Sequence, residues 1–152
     1  MKNLLAVALV LLSVSPAICR PVLVLPYDQL LQQADLVVIA TPTSVRDTQV
    51  ETTFPGIQCD GKPVPAIRME AEFDVLAVLK GDGAAKTFVL HYLRSDESRA
   101  KPAANGPNLI WFNPSEKHRY LLFLKRDENG GYSTLGIQTD SYFSVKDLGP
   151  IP

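Results

Sequence analysis

The segment from Met69 to Lys80 constrains the fold more than any other part of the sequence. At its start, apolar and acidic residues alternate: Ala71, Phe73 and Val75 against Glu70, Glu72 and Asp74. Successive side chains of a strand point to opposite faces of its sheet, so the alternation predicts a strand with one buried and one hydrated face. Residues 75–79 are apolar on both faces, which predicts that this end is covered on both sides.

The chain then turns back and forms a second strand. Gly81-Asp82-Gly83 is a turn sequence, and the following segment from Lys86 to Arg94 again alternates, with Phe88, Leu90 and Tyr92 on one face. Two such segments joined through glycines predict a hairpin. Lys80 and Gly81 are expected to end the first strand, with the lysine charge in water and the glycine allowing the turn.

Before this hairpin, the sequence predicts a helix, a bent strand and a loop. Apolar residues at helical spacing predict a short helix over residues 27–34, with Asp28 as a possible N-cap. The β-branched run that begins at Leu36 predicts one long strand to about Val50. Residues 51–68 contain several turn formers, which predict a loop: Pro55-Gly56, Asp60-Gly61, Pro63 and Pro65.

After the hairpin, the pattern predicts a long irregular segment over residues 95–117 and then three more β segments. The continuous apolar run within His118–Arg126 is typical of a buried central strand. Residues 127–131 end in two glycines and predict a hairpin turn. A last long strand is expected from Tyr132 to Gln138, with a continuation after a kink from Tyr142 to Val145.

These elements predict an all-β fold: a five-stranded antiparallel OB-type barrel with one short N-terminal helix. No segment is long enough for the crossover helices of a parallel sheet, and barrel closure removes exposed strand edges. The length of 152 residues, with 46% hydrophobic and 20% charged residues, fits a single globular domain.

The first residues have the pattern of a secretory signal peptide. Lys2 precedes the apolar run Leu4–Leu12, and small residues follow at Ser13, Ser15 and Ala17. We expect residues 1–17 to be the signal peptide, with cleavage falling at 17–19, and residues 18–152 to form one secreted or periplasmic domain. A lipoprotein is disfavoured because Ile18 precedes Cys19. The apolar run is shorter than the roughly 20 residues of a transmembrane helix, and no transmembrane segment is expected.

The sequence contains two cysteines, Cys19 and Cys59. If cleavage falls after Ala17, both stay in the mature chain and could form a disulfide in an oxidising compartment. If it falls after Cys19, Cys59 is left as an odd thiol. Neither cysteine has the neighbours of a zinc or redox motif, so no metal and no cofactor are expected.

Three parts of the chain together resemble the OB-fold domain of the netrin and tissue-inhibitor-of-metalloproteinase type, found in many bacterial secreted proteins. They are ADLVVIATPTSV from Ala34, FDVLAVLKG from Phe73, and HRYLLFLKR from His118 followed by GYSTLGIQTDSYFSV. The resemblance covers roughly residues 34–145. It implies a five-stranded barrel and a role in protease inhibition or in binding a matrix component or another partner.

The inhibitory mechanism of that family requires an N-terminal cysteine on the zinc of the protease, with a second cysteine two residues later. Cys19 is the nearest match, but Arg20-Pro21 follows it, and it becomes N-terminal only if cleavage falls after Ile18. A metalloprotease inhibitor is therefore an alternative to the main expectation, a non-enzymatic module that binds a protein or a cell-envelope component.

The residues proposed for partner binding lie in two places. Trp111 and Phe112 belong to an apolar patch that either anchors a partner or plugs the barrel. By analogy with other OB folds, which bind ligands across strands 2 and 3, Glu70, Glu72 and His91 with the 51–68 loop form the second place.

Other functions receive little support from the sequence. No catalytic residue is proposed, since the chain has no GxSxG motif and only two histidines, His91 and His118. A small hydrolase that uses the carboxylates of Glu70, Glu72 and Asp74 is a second alternative, although charge on an outward strand face is the ordinary finding. The formal net charge of −1 argues against nucleic acid as a partner.

Overall fold

The computed structural model describes residues 24–59, 61–99, 108–135 and 138–151. The predicted signal peptide and Cys19 lie outside these residues. The elements are α1 (Tyr27–Gln33), β1 (Leu36–Cys59), β2 (Lys62–Lys80), β3 (Thr87–Ser95), β4 (His118–Arg126), β5 (Tyr132–Thr134) and β6 (Val145–Pro150). Two 3₁₀ segments occur at Pro114–Glu116 and Gln138–Ser144, the second with a kink at Asp140. The described chain is therefore mostly β, as predicted, with one short helix.

Five strands form a closed ring. They pair in the order β1, β2, β3, β5 and β4, and β4 pairs back onto β1 through residues 120–124. β6 pairs with β4 over His118–Leu122, beyond the residues that pair with β5. The core occupies the interior of the ring, where the predicted inward residues of β2 and β3 are buried: Ala71, Phe73, Phe88, Leu90 and Tyr92.

One pairing is parallel, so the expectation of antiparallel pairing throughout is wrong there. β3 and β5 run in the same direction, with Leu90 opposite Tyr132 and His91 opposite Ser133. The reason is geometric, because strand directions cannot alternate around a ring with an odd number of members. A closed ring of five strands must contain a parallel neighbour.

The predicted 51–68 loop is also wrong, because β1 continues to Cys59 and β2 begins at Lys62. The two strands pair beyond the residues that β2 shares with β3, with Thr53 opposite Pro65 and Cys59 opposite Lys62. Pro55 and Gly56 lie in a shift of register between Thr53 and Gln58, where an irregular bulge accommodates residues that a regular ladder excludes, and Gly61 lies in the turn between the strands. A strand extension therefore stands where a loop was expected.

The end of the chain differs from the expectation as well. β5 has three residues rather than seven. Leu135, which follows it, is buried with α1 in a second apolar cluster, and its amide donates to the Phe123 carbonyl of β4, 3.2 Å away. Residues 138–144 form 3₁₀ turns instead of continuing a strand, and β6 begins only at Val145. The described residues thus contain six strands rather than five.

The second half of β2 is not covered on both sides. Leu76 and Leu79 are 50% and 57% exposed, whereas Val75 and Val78 pack against the core. The ring interior covers one face of this strand, and among the described residues no layer covers the other. The prediction of a doubly buried strand end is therefore wrong.

Helix α1 is held against one end of the ring by a helix clamp, the group of Asp35, Lys80, Gly81 and Lys125. The Lys80 ammonium donates to the carbonyls of Leu31 and Gln32 at 2.7 and 3.0 Å, at the C-terminal end of α1. A cation is favoured there because the last carbonyls of a helix lack partners within it. Lys80 ends β2 as predicted, but its ammonium group binds helix carbonyls, whereas the sequence predicted that it points into water.

Gly81 and Asp35 complete the clamp. Gly81 has φ +103°, and a Cβ at this position would lie 2.7 Å from the Asp35 carbonyl oxygen. The Asp35 carboxylate accepts hydrogen bonds from Lys125 Nζ and from the Arg126 amide, both at 2.9 Å. The helix and two strands are therefore joined by direct polar contacts, with no space for a side chain at residue 81.

The start of α1 differs from the prediction in one detail. Pro26 occupies the N-cap position without a side-chain cap, and Asp28 lies in the first turn. A carboxylate there still interacts favourably with the positive end of the helix dipole. The buried side of the helix consists of Leu30 with Ala34 just beyond its end.

Candidate functional site

The aromatic segment before β4 divides into buried and exposed residues. Ile110 and Phe112 are each 7% exposed, whereas Trp111 between them is 67% exposed. An extended backbone places successive side chains on opposite sides, so burial of the two neighbours directs Trp111 outward. Of the two predicted partner-binding residues in this segment, Phe112 belongs to the core and Trp111 to the surface.

Phe112 is fixed by three aromatic rings. It packs edge to face against Phe73, Tyr92 and Tyr120, with ring centroids 5.0, 5.4 and 5.1 Å away. Edge-to-face packing at these distances is a favourable arrangement of aromatic quadrupoles. Phe112 is thus an anchor, and it holds the backbone that presents Trp111.

Trp111 lines a surface groove together with a residue from a distant part of the chain. The groove has a volume of about 440 Å³ and is lined by Asn108, Leu109, Trp111 and Tyr142. Tyr142 is 57% exposed and lies in the 3₁₀ segment before β6. We call these four residues the aromatic groove.

A hydrogen bond joins the two segments that form the aromatic groove. The backbone amide of Asn108 donates to Oδ1 of Asp140 at 3.2 Å, and the Asp140 side chain is buried. On the other side of Tyr142, Ser144 and Val145 are also buried. Both segments are therefore anchored close to their exposed aromatic residues.

The sequence interpretation missed Tyr142 because it assigned residues 142–145 to a strand. Asp140-Ser141 just before it is a pair typical of turns, and that signal argued against a strand. Its proximity to Trp111 depends on the path of the chain through residues distant in sequence, which no local pattern reveals.

The second predicted place, on β2 and β3, brings Glu70 and His91 together. They are direct cross-strand partners, and His91 Nε2 lies 3.8 Å from Glu70 Oε1. The other oxygen of Glu70 accepts from the Arg46 guanidinium on β1. Glu72 lies two residues further along β2, exposed and opposite Val89. Glu70 and His91 therefore belong to one ion-pair cluster, and Glu72 is their neighbour on the strand.

The structure adds Asp127 to this cluster. His91 Nδ1 lies 2.5 Å from Asp127 Oδ2, and the other carboxylate oxygen accepts from the amides of Asn129 and Gly131. Burial raises the pKa of Asp127, but the hydrogen bonds from His91 and the turn amides outweigh burial and hold the pKa below its usual value. Gly131 leaves room for the imidazole, since a Cβ there would lie 2.7 Å from His91 Cε1.

The arrangement of this cluster favours a structural role. Both oxygens of Glu70 face basic side chains, and Asp127 is engaged by His91 and by its own turn, so these groups link β1, β2, β3 and the β4–β5 turn. Within the described ranges, no group of three or more His, Cys, Asp or Glu residues is arranged to hold a metal ion.

Cys59 is exposed with a free thiol at the end of β1, and its proposed partner Cys19 lies outside the described residues. The part of the chain that the structure describes has no helix long and apolar enough to cross a membrane.

Comparison of the chain with models of known protein families and with curated proteins gave no match.

Proposed function

We propose that the chain is a secreted, non-enzymatic binding module in which an OB-type barrel of the netrin-like kind presents the aromatic groove to a protein or cell-envelope partner. The exposure of Trp111 beside Tyr142, on a segment anchored by Phe112, is the observation that carries the proposal. Tryptophan and tyrosine are enriched where surfaces make contacts, because they combine a large apolar area with a polar tip.

The OB-type assignment rests on the ring of five strands and on the resemblance of residues 34–145 to the netrin-like domains. An OB fold is a five-stranded Greek-key barrel that often uses its loops for binding. The ring closes through β1 and β4, and the long connection between β3 and β4 carries Trp111. Under this proposal the ring is the scaffold and the connections carry the contacts.

The proposal of a non-enzymatic role is supported by the partners of the Glu70 and Asp127 carboxylates. A general acid or base needs a carboxyl group that can exchange a proton with a substrate. Glu70 instead faces Arg46 and His91, and Asp127 faces His91 and two backbone amides. These contacts are typical of a structural ion-pair network at the surface.

Affinity capture with the mature protein tests the function. The wild-type protein should retain a component from culture medium or from solubilised cell envelope, and the double variant Trp111→Ala/Tyr142→Ala should lose it. The double variant Leu76→Ala/Leu79→Ala is the matched control, since it removes two side chains that are also large, apolar and exposed. Retention by the groove variant, or equal loss by both variants, would contradict the proposal.

Intact-mass and N-terminal analysis of the exported protein test the location and the main alternative. An N-terminus at Ile18 is expected from the leader pattern. An N-terminus at Cys19 with a free amino group would favour the metalloprotease inhibitor instead. A protein that stays in the cytoplasm with its leader intact would contradict secretion.

A further inference from the structure

We propose that the aromatic groove binds a neutral oligosaccharide, with one sugar ring stacked on Trp111 and a neighbouring unit against Tyr142. This inference rests on the proposed function and names the chemical class of the ligand.

The lining residues match the two kinds of surface that a sugar presents. A pyranose ring has apolar C–H faces and a rim of hydroxyl groups. Trp111 offers an aromatic face, Leu109 an aliphatic one, and the Tyr142 hydroxyl and Asn108 side-chain amide can donate and accept hydrogen bonds. The groove therefore combines an apolar platform with polar groups at its side.

The charge of the groove disfavours an anionic ligand. The described residues that line it include no Lys, Arg or His. The nearby carboxylate of Asp140 is buried and already accepts from the Asn108 amide. A phosphate or a carboxylate would lose hydration in the groove without gaining an opposite charge, and the Asp140 carboxylate would repel it. A neutral ligand avoids this loss.

The size of the groove favours a small ligand over a protein surface. Its volume of about 440 Å³ lies within the range of small-molecule sites, roughly 300–1,000 Å³. A stable protein interface needs about 800 Å² and 20–30 residues on each side. A groove that involves four of the described residues is closer to the dimensions of one or two sugar rings.

The two aromatic residues are also held in advance of binding. Phe112 fixes the backbone next to Trp111 through three edge-to-face contacts, and the Asn108–Asp140 hydrogen bond joins the segment of Trp111 to that of Tyr142. A backbone that is fixed before the ligand arrives avoids part of the entropic cost of ordering the site on binding.

The fluorescence of the protein gives a direct test, because Trp111 is the single tryptophan of the chain. Titration of the mature wild-type protein with cellotetraose, chitotetraose and maltotetraose should give a saturable change in tryptophan emission with at least one of them, at a Kd of about 1 mM or tighter. Tetragalacturonate, which has the same number of rings and carries carboxylates, should give a change only at much higher concentration.

Variants localise the effect. Tyr142→Ala should weaken binding about tenfold, a typical effect of losing one aromatic contact. Leu79→Ala, the control for loss of an exposed apolar side chain elsewhere, should leave the Kd unchanged. Trp111→Ala, measured by calorimetry, should abolish binding while its circular dichroism spectrum stays that of the wild type.

The glycan inference and the proposed function fail in different ways. If none of the three neutral sugars changes the emission, or if tetragalacturonate binds most tightly, the glycan inference is overturned. If Trp111→Ala/Tyr142→Ala still loses a captured protein partner, the proposed function stands without it. If the groove variant alters neither sugar binding nor affinity capture, both are rejected.

Discussion

The helix clamp and the aromatic groove lie at two different parts of the scaffold and use their residues in opposite ways. In the clamp, every charged group named above has a partner, and Gly81 packs directly against the Asp35 carbonyl. In the groove, the side chains of Trp111 and Tyr142 are more than half exposed, although residues adjacent to Trp111 and two positions either side of Tyr142 are buried. The burial and contacts assign the clamp residues to folding, whereas the proposed function assigns the exposed groove residues to contact with another molecule.

This comparison has an energetic basis. Removing a buried side chain leaves a cavity, and enlarging a closely packed residue strains its neighbours. Both changes lower the free energy of unfolding. An exposed side chain contributes little to folding, so its retention as a large apolar group needs another explanation, such as binding. Substitutions should therefore separate the two regions by their effect on the free energy of unfolding.

The largest loss of stability is expected at the buried Phe112 and not at the exposed Trp111. Phe112→Ala should lower the free energy of unfolding by about 3–5 kcal/mol, because it leaves a cavity among three aromatic rings. Trp111→Ala, one residue earlier, should change it by less than about 0.5 kcal/mol. Urea unfolding followed by circular dichroism measures both. Similar losses for the two variants would show that Trp111 is part of the scaffold.

The next effect concerns the closest contact of the clamp. Gly81→Ala should lower the free energy of unfolding by about 3 kcal/mol, because a Cβ would meet the Asp35 carbonyl at 2.7 Å and the positive φ disfavours alanine. Gly83→Ala is the matched control two residues later, where an added Cβ meets no atom within 4 Å. Equal stability of the two variants would show that the clamp is loose enough to adapt.

A smaller loss of stability is expected from substitution of Lys80 in the clamp. Lys80→Met keeps an unbranched side chain but removes the two hydrogen bonds to the C-terminal carbonyls of α1, and it should cost about 1 kcal/mol. Lys86→Met, at an exposed position after the same turn, should be close to neutral. If both variants unfold at the same urea concentration, the lysine does not hold the helix.

Local patterns predicted most of the ring. The alternation in β2 and β3 identified both strands and their buried faces, and the apolar run of β4 identified a buried strand, because these signals depend on which side of a strand faces the core. The parallel β3–β5 pair was also within reach, since five strands in a closed ring cannot all be antiparallel. That constraint follows from the strand count, not from any residue.

The errors arise where contacts distant in sequence override local signals. Prolines and glycines predicted a loop over residues 51–68, yet pairing between β1 and β2 continues through them with a bulge. Lys80 was expected to point into water because its partner carbonyls belong to a helix about 50 residues earlier. Tyr142 was missed for the same reason, since only the path of the chain brings it near Trp111.

The smallest effect depends on pH and concerns the carboxylate of the clamp. Hydrogen bonds from Lys125 and from the Arg126 amide hold the pKa of Asp35 below its usual value, against the opposing effect of burial. Because the pKa is lower in the folded protein, the contribution of Asp35 to stability is present above its unfolded pKa of about 3.9 and is lost as the pH falls through the folded pKa.

Asp35→Asn should therefore be less stable than the wild type at pH 6, and the difference in free energy of unfolding should narrow as the pH falls from about 4 to lower values. Urea unfolding of both proteins at a series of pH values measures the difference, and Glu97→Gln, at an exposed position outside the clamp, corrects for the general effect of removing a carboxylate. A difference that stays constant across this range would show that Asp35 acts through its size and hydrogen-bonding shape, and that the clamp does not depend on its charge.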